Sequence, residues 1–241
     1  LMRRVSSTEI QNNFGNYLLV AQEQDLIITR NGKDVAKLSA VNPRRDLVSE
    51  EALAQGYGLH KATYEEFLEL TKEETLERYE YIDGEVFLQV SPRVDHQYAL
   101  SELHVVFHHF LSKKPCEVFM APFDIRISRR AGDINVVQPD LLVICDLKEN
   151  LGADGYYHGV PDLVVEILAE GTKRNDLLKK LNLYLEGGVK EYWVVDPKSK
   201  QVTIYHFVDG DIGEHITFSS PHKATSFLFP ELTIDLSTIF F

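Results

Sequence analysis

Two short segments of the chain repeat one pattern, Pro139-Asp140-Leu141-Leu142-Val143-Ile144 and Pro161-Asp162-Leu163-Val164-Val165-Glu166. Branched apolar residues run on without alternation in both, which predicts strands that are buried on both faces and opened by a proline. If the two pair antiparallel with Asp140 opposite Glu166, the start of one lies beside the end of the other and two carboxylates meet at one sheet edge. Hard cations such as magnesium take oxygen ligands, commonly one or two carboxylates with water and phosphate oxygens, so this pair is the outline of a divalent-metal site. The same register sets Ile144 beside Asp162 and keeps Asp162 away from the site. The residues alone also allow a plainer arrangement, with Asp140 capping the turn after Pro139 and Glu166 solvated at a strand end.

The elements that must position these acids are legible around them. Thr63-x-x-Glu66 is a capping box that opens a helix running to about Lys72. Tyr79 to Val90 reads as a hairpin turning at Asp83-Gly84. A helix follows from about Pro92 to Leu111 with Leu100, Leu103, Phe107 and Phe110 on its apolar face. Strands are expected near 116–127, 137–145 and 160–168, then a helix over 173–186 ended by Gly187-Gly188, then strands near 190–195, 201–207 and 214–218. This order predicts an α/β or α+β fold, a mixed sheet flanked by helices. The N-terminal stretch is a separate pattern: an extended Arg3-Arg4-Val5, a capping box at Ser6 and Glu9, and a helix whose apolar face carries Ile10, Phe14, Leu18 and Ala21. A hairpin around Asn31-Gly32 completes it.

Other chemical signals are weak. His104 and His108 are spaced i, i+4, but the glutamate that a His-Glu-x-x-His zinc site needs is absent, so they read as core-edge histidines. Gly171-Thr172-Lys173 lacks the glycines of a phosphate loop, and there is no Gly-x-Ser-x-Gly elbow. Tyr192, Trp193 and Tyr205 read as sheet residues.

With 241 residues, 44% of them hydrophobic, the chain can bury a substantial core and hold two domains. It lacks an apolar stretch of bilayer length, which predicts no membrane insertion. Cys116 and Cys145 lie in apolar segments and read as buried free thiols, from which a cytoplasmic location is expected. The net charge of −12 argues against gripping nucleic acid by bulk electrostatics. It is unevenly spread: residues 1–47 carry +2 and the remainder −14.

The N-terminal run VSSTEIQNNFGNYLLVAQEQDLIITRNGKDVAKL resembles the N-terminal module of Phd/YefM-type antitoxins over about residues 2–41. The resemblance implies a homodimer that binds operator DNA, with Arg3, Arg4, Arg30, Asn31 and Lys33 facing phosphate. It also raises the question of a toxin partner, although residues 43–62 read as a linker rather than a toxin-neutralising tail. The runs YEYIDGE, SPRVDHQ, APFDIRI, VVQPDLLVIC, PDLVVEIL and TKRNDLLKKLNLYLEGGVKEYWVVDP resemble, in this order, the Uma-type family of restriction endonucleases in the PD-(D/E)XK superfamily, over about residues 63–236.

That second resemblance implies a restriction-endonuclease-like fold, Mg²⁺ or Mn²⁺ as cofactor, DNA as substrate, and Asp140 and Glu166 as the metal-binding carboxylates, with the backbone carbonyl of Ile167 completing the shell. The superfamily motif wants a lysine two residues after the second acid, where this chain has Leu168. Lys180, on the flank of the next helix beside a stripe of Leu177, Leu178, Leu181 and Leu185, is the expected substitute. A solvated Asp176–Lys180 surface pair is the alternative. Glu80, Glu85 and His96 stand in family-like motifs as possible accessory groups. The expected organisation is a dimerising DNA-binding module at 1–45, a linker at 46–62, and a nuclease-like domain at 63–241. The competing reading is an antitoxin-type regulator whose nuclease fold is inactive.

Overall fold

In the computed structural model of the protein, Ser6 Oγ accepts a hydrogen bond from the Glu9 N–H at 3.2 Å, and there the chain turns from strand β1 (Arg3–Ser6) into helix α1 (Ser7–Asn12). The structure describes residues 3–12, 17, 20–21, 26–30, 32–38, 60–72, 77–89, 91–169 and 174–241, without the side chains of 3, 11, 12, 60 and 174–176. The chain divides into two compact units, Leu1–Glu50 and Glu51–Phe241.

In the first unit, β2 (Leu26–Arg30) pairs parallel with β1 and antiparallel with β3 (Lys33–Leu38). Val5, Ile10, Tyr17, Ala21 and Leu26 form its core. Ile10 is thus buried within the protomer. Phe14, Leu18 and Asn31 lie outside the described residues, as does the Arg3 side chain. The Arg4 guanidinium is held by Asp34 through two bonds of 3.1 Å.

The second unit begins with β4 (His60–Lys61) and α2 (Tyr64–Thr71). Both halves of the predicted capping box form there: Glu66 N–H donates to Thr63 Oγ1, and Thr63 N–H to the Glu66 carboxylate. The hairpin of β5 (Arg78–Ile82) and β6 (Glu85–Gln89) turns at Asp83 and Gly84, whose φ angles of 55° and 75° suit a tight primed turn. Then come α3 (Val94–Leu111), β7 (Glu117–Met120), β8 (Ile125–Ile127), β9 (Asn135–Val137) and β10 (Leu141–Ile144). After α4 (Leu147–Asn150) the chain forms β11 (Leu163–Ile167), α5 (Arg174–Glu186), β12 (Glu191–Asp196), β13 (Gln201–Val208) and β14 (Asp211–Ser219). It closes with β15 (Lys223–Thr225), β16 (Thr233–Asp235) and α6 (Leu236–Ile239).

Two sheets organise this unit, a six-stranded one in the order β14-β13-β12-β11-β10-β7 and a five-stranded one in the order β4-β6-β5-β9-β8. This is a mixed α+β architecture of the restriction-endonuclease-like kind. The central strands β10 and β11 are covered on both faces. Leu141, Val143, Leu163 and Val165 pack with Leu103 and Phe107 of α3, while Leu142, Ile144 and Val164 pack with Leu183 and Tyr184 of α5 and with Ile125 and Ile127 of the smaller sheet. Double coverage explains why both strands read as unbroken apolar runs.

Three expectations need correction. The strand expected over 116–127 is two strands in different sheets: the segment between them contains Pro122, which has no N–H to give a ladder, and β7 joins the larger sheet while β8 joins the smaller. Cys116 and Cys145 are joined as a disulfide rather than free. The antiparallel register that sets Ile144 opposite Glu117 carries Cys145 to the place opposite Cys116, and the free-thiol argument for a cytoplasmic location goes with it. On α5, Leu178 is exposed rather than part of the buried stripe, whereas Leu181 and Leu185 pack against the core as expected, together with the fully buried Leu183 and Tyr184. Among the described residues no helix is long and apolar enough to cross a membrane.

Candidate active site

The pairing of β10 with β11 sets Leu141 opposite Val165 and Leu142 opposite Val164. One step further along the same register, Asp140 stands opposite Glu166. Both lie on the face that carries Leu142 and Val164, because alternate residues of a strand share a face. At the other end, Asp162 Oδ2 accepts from the Cys145 N–H at 2.8 Å and Oδ1 from Lys190 Nζ at 2.6 Å. Asp162 is a structural cap, as its place four residues from Glu166 requires.

Asp140 is oriented by two donors. The Ile167 N–H gives its Oδ2 a hydrogen bond of 2.7 Å, and His96 Nε2, from the first turn of α3, lies 3.3 Å from the same oxygen. His96 is buried, and its Nδ1 has no partner among the described residues. Burial works against the charged imidazole, but Asp140 outweighs it and the His96 pKa is raised.

Glu166 is held from α5. Lys180 Nζ donates to Glu166 Oε1 at 2.9 Å, and Tyr184 OH donates to the same oxygen at 2.6 Å. Lys180 also reaches Glu80 on β5, 3.0 Å from each carboxylate oxygen. Glu80 in turn accepts the Gln138 N–H at 2.8 Å. Burial raises the Glu166 pKa, with Glu80 and Asp140 adding to it and Lys180 opposing. The two carboxylates more than offset the burial of Lys180 and hold it charged. Burial beside these acids keeps the Tyr184 phenol protonated.

Glu80, His96, Asp140, Glu166, Ile167 and Lys180 all line one cavity of about 470 Å³. The structure therefore brings together Asp140, Glu166, Lys180, Ile167, Glu80 and His96. Glu85 is not among the cavity lining; it pairs with Lys179. Lys180 projects inward rather than from a flank, which accounts for its two ion pairs. The side chain of Asp176 lies outside the described residues. Sequence reasoning missed Tyr184 and Gln138. The first carried a usable signal, since it follows Lys180 by four residues on a helix and so shares its face.

A divalent cation fits the donor set in a restricted way. Asp140 and Glu166 each have one oxygen bound by protein donors and one with no protein hydrogen bond among the described residues. No group of three or more His, Cys, Asp or Glu that could hold a metal ion occurs among the described residues. A cation there would rest on two carboxylates, with backbone, water and substrate oxygens filling its shell, which is the usual habit of magnesium.

Residues 64–237 match the family Uma2, described as "Putative restriction endonuclease". An uncharacterized protein of Synechocystis sp. (strain ATCC 27184 / PCC 6803 / Kazusa) is 27% identical over 147 residues, which span 61% of this chain and 74% of that protein. The crystal structure of a "putative nuclease belonging to DUF820" from Anabaena variabilis ATCC 29413 matches with a TM-score of 0.58 and 23% identity. That match covers 73% of this chain and 96% of the other, and it shows the shared fold.

Proposed function

Because the chain belongs to the Uma2 family, we propose that it is a metal-dependent nuclease that hydrolyses phosphodiester bonds of DNA at the cavity of Asp140, Glu166 and Lys180. The observation that carries this reading is the placement of Lys180 Nζ, 2.9 Å from the carboxylate that stands opposite Asp140. This lysine comes from the helix after the second acid and supplies the cation that Leu168 cannot.

A bound Mg²⁺ or Mn²⁺ would polarise a phosphate oxygen and make water more acidic. Asp140 and Glu166 would hold the cation, and the Ile167 carbonyl would add a ligand. Lys180 stabilises negative charge building on the phosphoryl oxygens. His96 is a positioning residue that fixes the Asp140 carboxylate, and Glu80 and Tyr184 fix Lys180 and Glu166 in the same way. Glu85 acts only through Lys179.

The N-terminal unit, on its likeness to Phd/YefM modules, serves as a dimerising tether to duplex DNA, raising the local concentration of substrate for an acidic catalytic unit. Arg30 and Lys33, both exposed, are its phosphate contacts. The deciding experiment is cleavage of plasmid and single-stranded DNA with Mg²⁺ or Mn²⁺. Wild type should cut and Asp140→Ala should not; equal activity of the two proteins would overturn the reading in favour of a non-catalytic binding protein.

A further inference from the structure

We propose that the cavity beside the carboxylates receives one unstacked nucleotide, so that single-stranded rather than duplex DNA is the substrate cut there. The inference rests on the nuclease reading and narrows it. At about 470 Å³ the cavity falls in the range of pockets that enclose a small molecule, roughly 300–1,000 Å³, and so matches a nucleotide. Two of its acids are recessed, Glu80 at 1% and Glu166 at 9% exposed, while the Asp140 side chain keeps 21% exposure. On a stacked, paired helix the base stays inside the stack and cannot fill such a pocket, whereas an unpaired nucleotide can be splayed into it.

The walls also suit a base. Leu88, Pro92, Leu100, Val105, Met120 and Leu168 line the space, and Val105 and Met120 are left 60% and 40% exposed. Large apolar side chains left open at a pocket wall gain by covering the face of a base. The His104 ring lies in the same lining, and burial together with His108 lowers its pKa, leaving a neutral ring to stack on.

Among the described residues of the lining, the charge balance does not favour the usual grip on a duplex. That grip needs several lysines and arginines to displace counterions along closely spaced phosphates. Of the cations lining the cavity, Lys180 is engaged by Glu80 and Glu166 and Lys179 by Glu85. Only Arg78 has no carboxylate partner among the described residues of the lining. Contact with the base would supply affinity that the paired lysines do not.

The test uses the full chain and matched oligonucleotides, single-stranded and hairpin duplex, with Mg²⁺. It adds the variants Val105→Trp and Met120→Trp, both at exposed positions where a larger side chain narrows the cavity. Single strands should be cut about tenfold faster than duplex, in line with the contribution of one stacked base. Metal-free Val105→Trp should bind oligothymidylate about tenfold more weakly than wild type by fluorescence anisotropy. Its cleavage of single strands should fall by at least the same factor more than its hydrolysis of bis(p-nitrophenyl) phosphate, a diester with no nucleobase. Each of the three proteins is also tested with Arg30→Glu and Lys33→Glu, which takes binding by the N-terminal unit out of the comparison. Duplex cut as fast as single strand, or both tryptophan variants binding and cutting single strands like wild type, overturns the inference while leaving the nuclease reading intact. Asp140→Ala matching wild type on every substrate overturns both.

Discussion

Lys180 is a cation between two buried acids, and its removal has two separable consequences. Lys180→Met keeps the aliphatic stem but leaves Glu80 and Glu166 facing each other without compensation. Breaking a buried ion pair in this way costs about 3–5 kcal/mol, so a lower denaturation midpoint is expected by urea titration without metal. If Asp140 and Glu166 hold a divalent cation, Mg²⁺ or Mn²⁺ should restore more of that loss in the variant than it adds to wild type. Cleavage should remain down by about 10²–10³-fold even when metal restores the fold. Tyr184→Phe tests a smaller element of the same site. It removes the donor 2.6 Å from Glu166 without changing the ring packing, and a loss of about 1.5–3 kcal/mol in urea is expected for a hydrogen bond to a charged group. The two acids were readable from sequence because each interrupts or opens a fully buried strand, where a carboxylate is conspicuous. Lys180 was readable only through the family resemblance. A lysine in an amphipathic helix looks like the edge of the polar face, and nothing in its spacing revealed that Glu80, about a hundred residues earlier, stood opposite it.

The elements that bring these side chains together are fastened by Arg129. It donates to Asp133 at 2.8 Å and to Asp83 in the β5–β6 turn, and lies 3.9 Å from Glu186 at the end of α5. One side chain thus ties the hairpin that carries Glu80 to the helix that carries Lys180. Asp133 bears the cost of protonation, because Arg129 holds its pKa down at about 2. A depressed carboxylate stabilises the fold above its unfolded value near 4, and that contribution is lost as pH falls towards 2. Wild type should therefore lose stability between about pH 4 and pH 2, and Asp133→Asn should be less stable at pH 6 with a flatter decline over that interval. Identical curves for the two proteins would show that Arg129 is held by its other partners alone. At this scale the hairpins were legible because Asp83-Gly84 imposes a backbone that few other pairs accept. The long helices were legible from their period. The disulfide was hidden because it depends on a strand register, and β15, β16 and α6 were missed because pieces of three or four residues leave no periodicity to read.

Across the whole chain, charge is segregated, +2 over residues 1–47 and −14 over the rest. An acidic catalytic unit repels polyanions at long range, so retention on DNA has to come from elsewhere or from short-range contact with a base. The proposed division of labour assigns the first task to the N-terminal unit and the second to the cavity. Arg30 and Lys33 flank the tip of the β2–β3 hairpin and are exposed, whereas the Arg4 guanidinium is already satisfied by Asp34. The double charge reversal Arg30→Glu with Lys33→Glu should therefore weaken binding to a duplex and reduce the slope of log affinity against log salt by about two, one for each phosphate no longer neutralised. Arg4→Ala should have a smaller effect. Neither change replaces a residue that lines the carboxylate cavity, so hydrolysis of a small phosphodiester should keep its wild-type rate, which separates a missing tether from a damaged catalytic unit. A duplex affinity and salt slope unchanged by the reversal would remove the tethering role. Retention would then fall to the cavity, whose lysines are paired with Glu80, Glu85 and Glu166, and to its contact with an exposed base.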